Sequence, residues 1–231
     1  MMEQLVFELA PPEPPAFANF VTGRNAEALA VLSALAAGRS SETGVVLWGP
    51  AGVGKTHLLR ATVAAGAAAG RPAVYAASPG ALAADPQVLA RSALVAVDEV
   101  ETADADAQAR LFTLYNALKA GGGHLVAASA LPLATLPLRE DVRTRLGWGL
   151  VYEAMPLADA DKPAALVDYA RRRGFTLADD VIRYLLVHGR RDMTALCATL
   201  AALDRHSLAT KRPITVPLLR DWLQREMTLG R

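Results

Sequence analysis

The chain has 231 residues, with 24 Lys+Arg against 23 Asp+Glu for a formal net charge of +1, and a single cysteine, Cys197. That balance excludes the basic excess that marks a general DNA-binding surface, one thiol excludes an intrachain disulfide framework, and four scattered histidines exclude a histidine-based metal centre. Hydrophobic residues make up 52%, yet much of this is alanine, and charges and prolines break the apolar runs before membrane-spanning length; with no signal-peptide pattern at the N-terminus, a soluble cytoplasmic protein without a membrane partner is expected.

Residues 1–15 end in Pro11-Pro12-Glu13-Pro14-Pro15, which favours extended polyproline-type backbone and reads as an arm with a stiff base. Within it, Gln4-Leu5-Val6-Phe7-Glu8-Leu9 alternates apolar side chains. Such a segment either docks as an edge strand or places spaced apolar anchors in a partner's pockets. From 16 to 155, strand-like runs near Val46, Val74, Val95, Val126 and Val151 alternate with helical stretches. The fold class is therefore α/β, a mainly parallel five-stranded sheet between helices, with ligand expected at the carboxyl ends of the strands.

The first strand runs into Gly49-Pro50-Ala51-Gly52-Val53-Gly54-Lys55-Thr56, which reads G-x-x-x-x-G-K-T, followed by the helical His57 to Val63. Strand, glycine-rich turn and helix stand in the order a phosphate-binding loop requires. The glycines let successive N–H groups turn inward around a phosphate, and the helix adds its positive dipole end. Lys55 then reaches the β- and γ-phosphates of ADP or ATP, and the Thr56 hydroxyl is placed to ligand Mg²⁺. About forty residues beyond this loop, the apolar run Ala93 to Val97 ends in Asp98-Glu99, the form of a Walker B strand. Asp98 would hold Mg²⁺ through its water shell, and Glu99 would polarise an attacking water.

Ala103 to Ala120 carries Asp104 and Asp106 early and Lys119 late, then stops at Gly121-Gly122-Gly123, as helix dipole and C-terminal rules predict. From about Pro156 the strand signal disappears. Residues 156–231 hold helical segments at Asp161 to Arg173, Ala178 to His188, Asp192 to Ser207, and from Pro217 to about Met227 after Thr215 as cap, and so read as a small all-helical lid. Cys197, Trp48 and Trp148 read as packing residues.

A phosphate loop in an α/β base followed by a helical lid resembles the AAA+ ATPases. Phe17-Ala18-Asn19-Phe20-Val21-Thr22-Gly23-Arg24-Asn25 resembles the start of the AAA+ region of the DnaA initiators, and Arg143-Thr144-Arg145-Leu146-Gly147-Trp148-Gly149-Leu150 resembles their box VII, S-R-F-x-W-G-L. DnaA proteins continue into a helix-turn-helix domain, whereas this chain is expected to end with its lid. Together with Arg173-Gly174-Phe175 and Leu203-Asp204-Arg205, that makes it similar to the Hda group, the DnaA-related regulatory inactivators.

The resemblance implies a negative regulator of chromosomal replication initiation. Gln4, Leu5, Phe7 and Leu9 become a motif for the DNA polymerase sliding clamp, so that DNA is met only through the clamp. Arg145 becomes an arginine finger acting in trans on ATP bound to DnaA, while the bland alternative pairs Arg143 and Arg145 with Glu140 and Asp141 on a solvated helix face. Val21 joins the nucleotide contacts, Ser129 takes the sensor I role, and a homo-oligomer is allowed because AAA+ surfaces stack. One departure stands out: in Thr194-Ala195-Leu196-Cys197-Ala198-Thr199-Leu200, threonine occupies the place of the sensor II arginine, with Arg190 and Arg191 just upstream. Weak self-hydrolysis is expected in consequence. The competing readings are an autonomous ATPase resembling the DnaC-like helicase loaders, with Glu99 at work on its own nucleotide, and a clamp- or DnaA-binding module without catalytic effect.

Overall fold

The computed structural model describes residues 13–82, 91–190 and 192–229, so Gln4, Leu5, Phe7, Leu9 and Arg191 lie outside the described residues. Two compact units divide at Pro156: a base of Pro15–Pro156 and a second unit that includes Leu157–Arg231.

In the base, strands β1 (Gly44–Trp48), β2 (Ala73–Ala76), β3 (Leu94–Val97), β4 (His124–Ser129) and β5 (Leu150–Glu153) form one sheet in the order β2-β3-β4-β1-β5. Every pairing is parallel, with Val46 opposite Ala127 and Val151, and Ala96 opposite Tyr75 and Val126. Strands β3 and β4 are buried along their whole length, which is why they read as unbroken apolar runs and not as alternating ones. Helices α1 (Ala26–Ala36) and α2 (Lys55–Ala68) cover one face. Their Leu32, Leu35, Leu58 and Leu59 pack on Leu47, Ala96, Val126 and Ala128. Helices α3 (Ala105–Gly121) and α4 (Glu140–Leu146) cover the other, where Leu111, Leu114, Leu118, Val142 and Leu146 meet Val46, Val95, Val97 and Ala127. Each leucine so buried contributes about 1.5–3 kcal/mol relative to exposure.

The ends of α3 follow local rules. Asp104 accepts a hydrogen bond from the Ala107 N–H at 2.8 Å as the N-cap, one residue outside the helix and not within it as the sequence pattern suggests. Gly122, with φ +71°, follows the last turn, and Gly123 N–H donates to Leu118 O at 2.8 Å.

The chain enters β1, crosses to the far edge at β2, returns through β3 and β4, and comes back on the other side of β1 as β5. The strand order therefore reverses at β1, and the crevice beyond the carboxyl ends of β1 and β4 is the place where such sheets bind ligand.

The second unit holds α5 (Lys162–Arg172), α6 (Asp179–His188), α7 (Met193–Thr210) and α8 (Val216–Leu229). Leu196, Leu200 and Leu203 recur at helical spacing on α7 and pack with Leu166, Val181, Ile182, Leu185 and Leu219. Thr215 O accepts the Leu219 N–H at 3.0 Å, as a residue preceding a helix does. Arg173 and Asp204 join in a largely shielded ion pair at 3.2 Å. Among the described residues, no helix is long and apolar enough to cross a membrane.

Candidate functional site

The phosphate-loop sequence lies between β1 and α2, and its backbone is pinned on both sides. Gly49 N–H donates to Ser129 O at 3.1 Å, and Ala154 N–H donates to Trp48 O at 2.7 Å. Gly49 has φ +154°, and a Cβ there would lie 2.5 Å from Ala154 O; Gly54, the residue before α2, has φ +96°, and a Cβ there would lie 2.7 Å from Phe20 Cε2. Glycine is required at both positions by conformation and by space. Phe20 thus lies against the loop at Gly54, and the segment carrying it is tied down by His57 Nε2, which donates to Ala16 O at 3.0 Å. Asn25, a cap residue by type, uses its amide to bridge the backbone of Met155 in both directions, at 2.9 and 2.7 Å, and makes no cap bond of its own.

Lys55 Nζ donates to Gly49 O at 2.6 Å and to Pro50 O at 3.0 Å, both within the loop it serves. Burial pushes its pKa below the ordinary lysine value, opposed by the charges of Asp98, Glu101 and Glu99. Thr56 Oγ1 donates to Asp98 Oδ2 at 2.6 Å, which joins residues 42 apart in sequence. Asp98 is 4% exposed. Its Oδ2 also accepts from Tyr75 Oη at 3.1 Å, and Oδ1 accepts from Glu99 N–H at 3.1 Å.

Glu99 is exposed and has φ +51°, an uncommon conformation for a residue with a side chain. Such backbone turns the carboxylate out of the strand direction. Ser129 is fully buried at the end of β4, and its Oγ accepts from Leu131 N–H at 2.9 Å, as a strand-end turn residue does. Val21 is 38% exposed.

Sequence reasoning missed Tyr75 and Glu101. Tyr75 is the penultimate residue of the edge strand β2, and Glu101 Oε1 accepts Ala130 N–H at 2.9 Å just past Ser129. The signal that could have found Tyr75 is parity: in parallel strands it stands opposite Ala96, and Asp98 lies two residues further on the same face.

The glycine cradle, the desolvated lysine and the Thr56–Asp98 contact together fit a magnesium nucleotide. Among the described residues, no group of three or more His, Cys, Asp or Glu could hold a metal ion alone, so the donor set suits a cation that brings phosphate oxygens with it.

Arg145 is elsewhere, on α4. Its guanidinium lies 3.8 Å from the centre of the Phe112 ring and 5.4 Å from that of Trp148. Nε donates to Asn116 Oδ1 at 2.9 Å, and Nη1 donates to Asp141 O at 3.1 Å. The carboxylate of Asp141 pairs with Arg139 instead, at 2.7 Å, so among the described residues the alternative pairing of Arg145 with helix-face acids does not form. Trp148 is 53% exposed and is therefore not a buried anchor; it meets Tyr115 edge-on and carries the Lys119 ammonium 4.3 Å from its ring centre. In the second unit, Thr194 is exposed in the first turn of α7, and Arg190 lies 3.5 Å from Asp192.

Residues 159–223 match the family described as Hda, lid domain. Among solved structures, the chain is similar to domain III of the Thermotoga maritima replication initiation protein DnaA, with TM-score 0.81 and 19% identity over 94% of this chain and 98% of that one. It is also similar to AMPPCP-bound DnaA from Aquifex aeolicus, with TM-score 0.71 and 20% identity over 85% of this chain and 67% of that one. A further likeness is to the RuvB Holliday junction branch migration motor of Thermotoga maritima, with TM-score 0.69 and 14% identity over 91% and 72%. At these identities the structural likeness is one of fold, and that fold is the AAA+ base with a helical lid.

Proposed function

We propose that this chain, which has the AAA+ fold and a lid segment matching the Hda family, is a nucleotide-bound negative regulator of bacterial replication initiation that stimulates hydrolysis of DnaA-bound ATP. It holds ADP or ATP with Mg²⁺ at Gly49 to Thr56 and Asp98. It is tethered to the DNA-loaded sliding clamp through Gln4, Leu5, Phe7 and Leu9 on an arm of residues 1–15, and it presents Arg145 to a neighbouring DnaA.

The observation that supports this most directly is the setting of Arg145. Among the described residues, its partners are neutral groups on α3, α4 and the turn after α4: two aromatic faces, an amide oxygen and a backbone carbonyl. Those contacts orient the guanidinium without neutralising it. None belongs to the phosphate loop or to Asp98-Glu99, so the charge serves something other than this chain's own phosphates. A guanidinium supplied in trans to a transferring phosphoryl group is worth roughly 10³ to 10⁵ in rate. Tethering to the clamp raises the effective concentration of the second encounter without any new contact.

In the chain's own site, a magnesium nucleotide supplies the polyanion and Lewis acid. Lys55 would exchange its bonds to the Gly49 and Pro50 carbonyls for phosphate oxygens, and Thr56 and Asp98 would hold the cation side. The completeness of that set also favours a second reading, an autonomous ATPase with Glu99 orienting water.

The deciding experiment prebinds ATP to DnaA, adds DNA-loaded clamp and this chain, and follows hydrolysis. Acceleration is expected, and Arg145→Ala should return the rate toward the value without the chain, with Arg145→Lys intermediate. No acceleration by the unmodified chain, with clamp binding demonstrated in the same mixture, would overturn the proposal. Steady turnover of ATP by the isolated chain, lost in Glu99→Gln, would favour the autonomous enzyme.

A further inference from the structure

Tyr75 and Arg60 are the best-defined features beside the phosphate loop that the proposed mechanism does not use. Tyr75 Oη donates to Asp98 Oδ2 at 3.1 Å, the oxygen that also accepts Thr56 Oγ1 at 2.6 Å. The Arg60 guanidinium lies 4.9 Å from the centre of the Tyr75 ring, within the range of a favourable cation–π contact. Arg60 stands four residues after Thr56 on α2, so one helix face carries both the hydroxyl that meets Asp98 and the cation that locates the tyrosine.

The phenol hydroxyl carries one hydrogen to donate, and an ionised carboxylate can only accept.

A carboxylate offers about four lone-pair positions, two on each oxygen. On Asp98, Thr56 and Tyr75 occupy both positions of Oδ2, and the Glu99 N–H occupies one of Oδ1. Among the described residues no other donor meets this carboxylate. We propose that Tyr75 is a positioning residue for the divalent cation of the nucleotide site: its hydroxyl, with that of Thr56, saturates Asp98 Oδ2 and fixes the orientation of the carboxylate that would meet the cation's water shell. The inference rests on nucleotide binding at the phosphate loop and adds a determinant of the cation's affinity there.

Tyr75→Phe removes the hydroxyl and keeps the ring beneath Arg60. Affinity for a fluorescent ADP analogue is measured by titration in EDTA and across a series of Mg²⁺ concentrations, for the unmodified chain and for Tyr75→Phe. Groups that orient a metal's ligands typically change metal affinity 10- to 100-fold when removed. The Mg²⁺ midpoint should rise about tenfold in Tyr75→Phe, while affinity in EDTA and the melting temperature stay unchanged. Arg60→Met, which keeps the hydroxyl and removes the cation that locates it, should raise the midpoint by about two- to fivefold. An unchanged midpoint in Tyr75→Phe, or an equal loss of affinity with and without Mg²⁺, overturns the inference while leaving nucleotide binding intact. Failure of the unmodified chain to bind the analogue at any Mg²⁺ concentration is the distinct result that removes the nucleotide reading, and this inference with it.

Discussion

Replacing Gly49 by alanine tests whether the phosphate loop is held by backbone geometry. The added Cβ would lie 2.5 Å from Ala154 O, about 0.8 Å inside the ~3.3 Å at which carbon–oxygen contacts begin. Neither side can yield easily. Ala154 N–H is bonded to Trp48 O at 2.7 Å as the β1–β5 pairing runs out, and Gly49 N–H is bonded to Ser129 O at 3.1 Å on the other flank. Overpacking of this kind costs about 1–3 kcal/mol, and the unfavourable φ of +154° adds about 1–3 kcal/mol. Gly122→Ala is the control, because φ is +71° there and nothing lies within 4 Å of where its Cβ would stand, leaving only a conformational cost of about 1–2 kcal/mol. The assay is urea unfolding followed by fluorescence in a Trp222→Phe background, so that Trp48 and Trp148 of the base report alone. Gly49→Ala should lose about 2–6 kcal/mol and should also weaken nucleotide binding. A loss in Gly49→Ala below about 2 kcal/mol, no larger than that of the control, would refute the steric argument.

Burial raises the Cys197 thiol from 9.0 to about 11, so its reaction with a thiol-specific disulfide reagent at pH 8 should run roughly a hundredfold slower than that of a free cysteine. Because the folded pKa lies above the unfolded one, the native chain binds the extra proton, and the contribution of this group to stability is intact below pH 9.0 and lost as pH rises toward 11; a Cys197→Ala chain whose alkaline unfolding matches the parent would contradict this. In the second unit, the Arg173–Asp204 side chains are only 14% and 11% exposed, so Asp204→Ala should cost about 2–4 kcal/mol by stranding the guanidinium. Unfolding followed by Trp222 fluorescence measures it, and the paired change Arg173→Met with Asp204→Leu should recover most of the loss.

Much of the fold is legible in the sequence because the central strands announce themselves. Val46, Val95 and Val126 lie in short apolar runs that are buried on both faces, and the glycines after β1 and α3 mark where the backbone must turn. The four helices of the second unit are recognisable from their apolar spacing and their caps. Less legible are the ends. The acidic pattern draws Asp104 into α3, whereas it caps that helix from outside, and Asn25, which has the composition of a cap, spends its amide on Met155, 130 residues away.

The loop of Gly49 to Thr56 and the pair Asp98-Glu99 can be read without coordinates, because the phosphate recognition proposed there would depend on backbone turns and on a spacing that is local in sequence. Tyr75, Arg60 and Glu101 cannot. Tyr75 and Arg60 reach the site only through strand register and helix face, and Glu101 is fixed by its bond to Ala130 N–H, 29 residues away. Arg145 divides in the same way. Its position is given by resemblance to box VII, whereas its environment of Phe112, Asn116 and Trp148 is set by the packing of α4 on α3. Sequence determined which groups this protein can bring to a phosphate, since that follows from residue type and local turn chemistry. Tertiary structure decided which donors meet Asp98 and which neutral groups surround Arg145, because both depend on partners that the fold alone brings within reach.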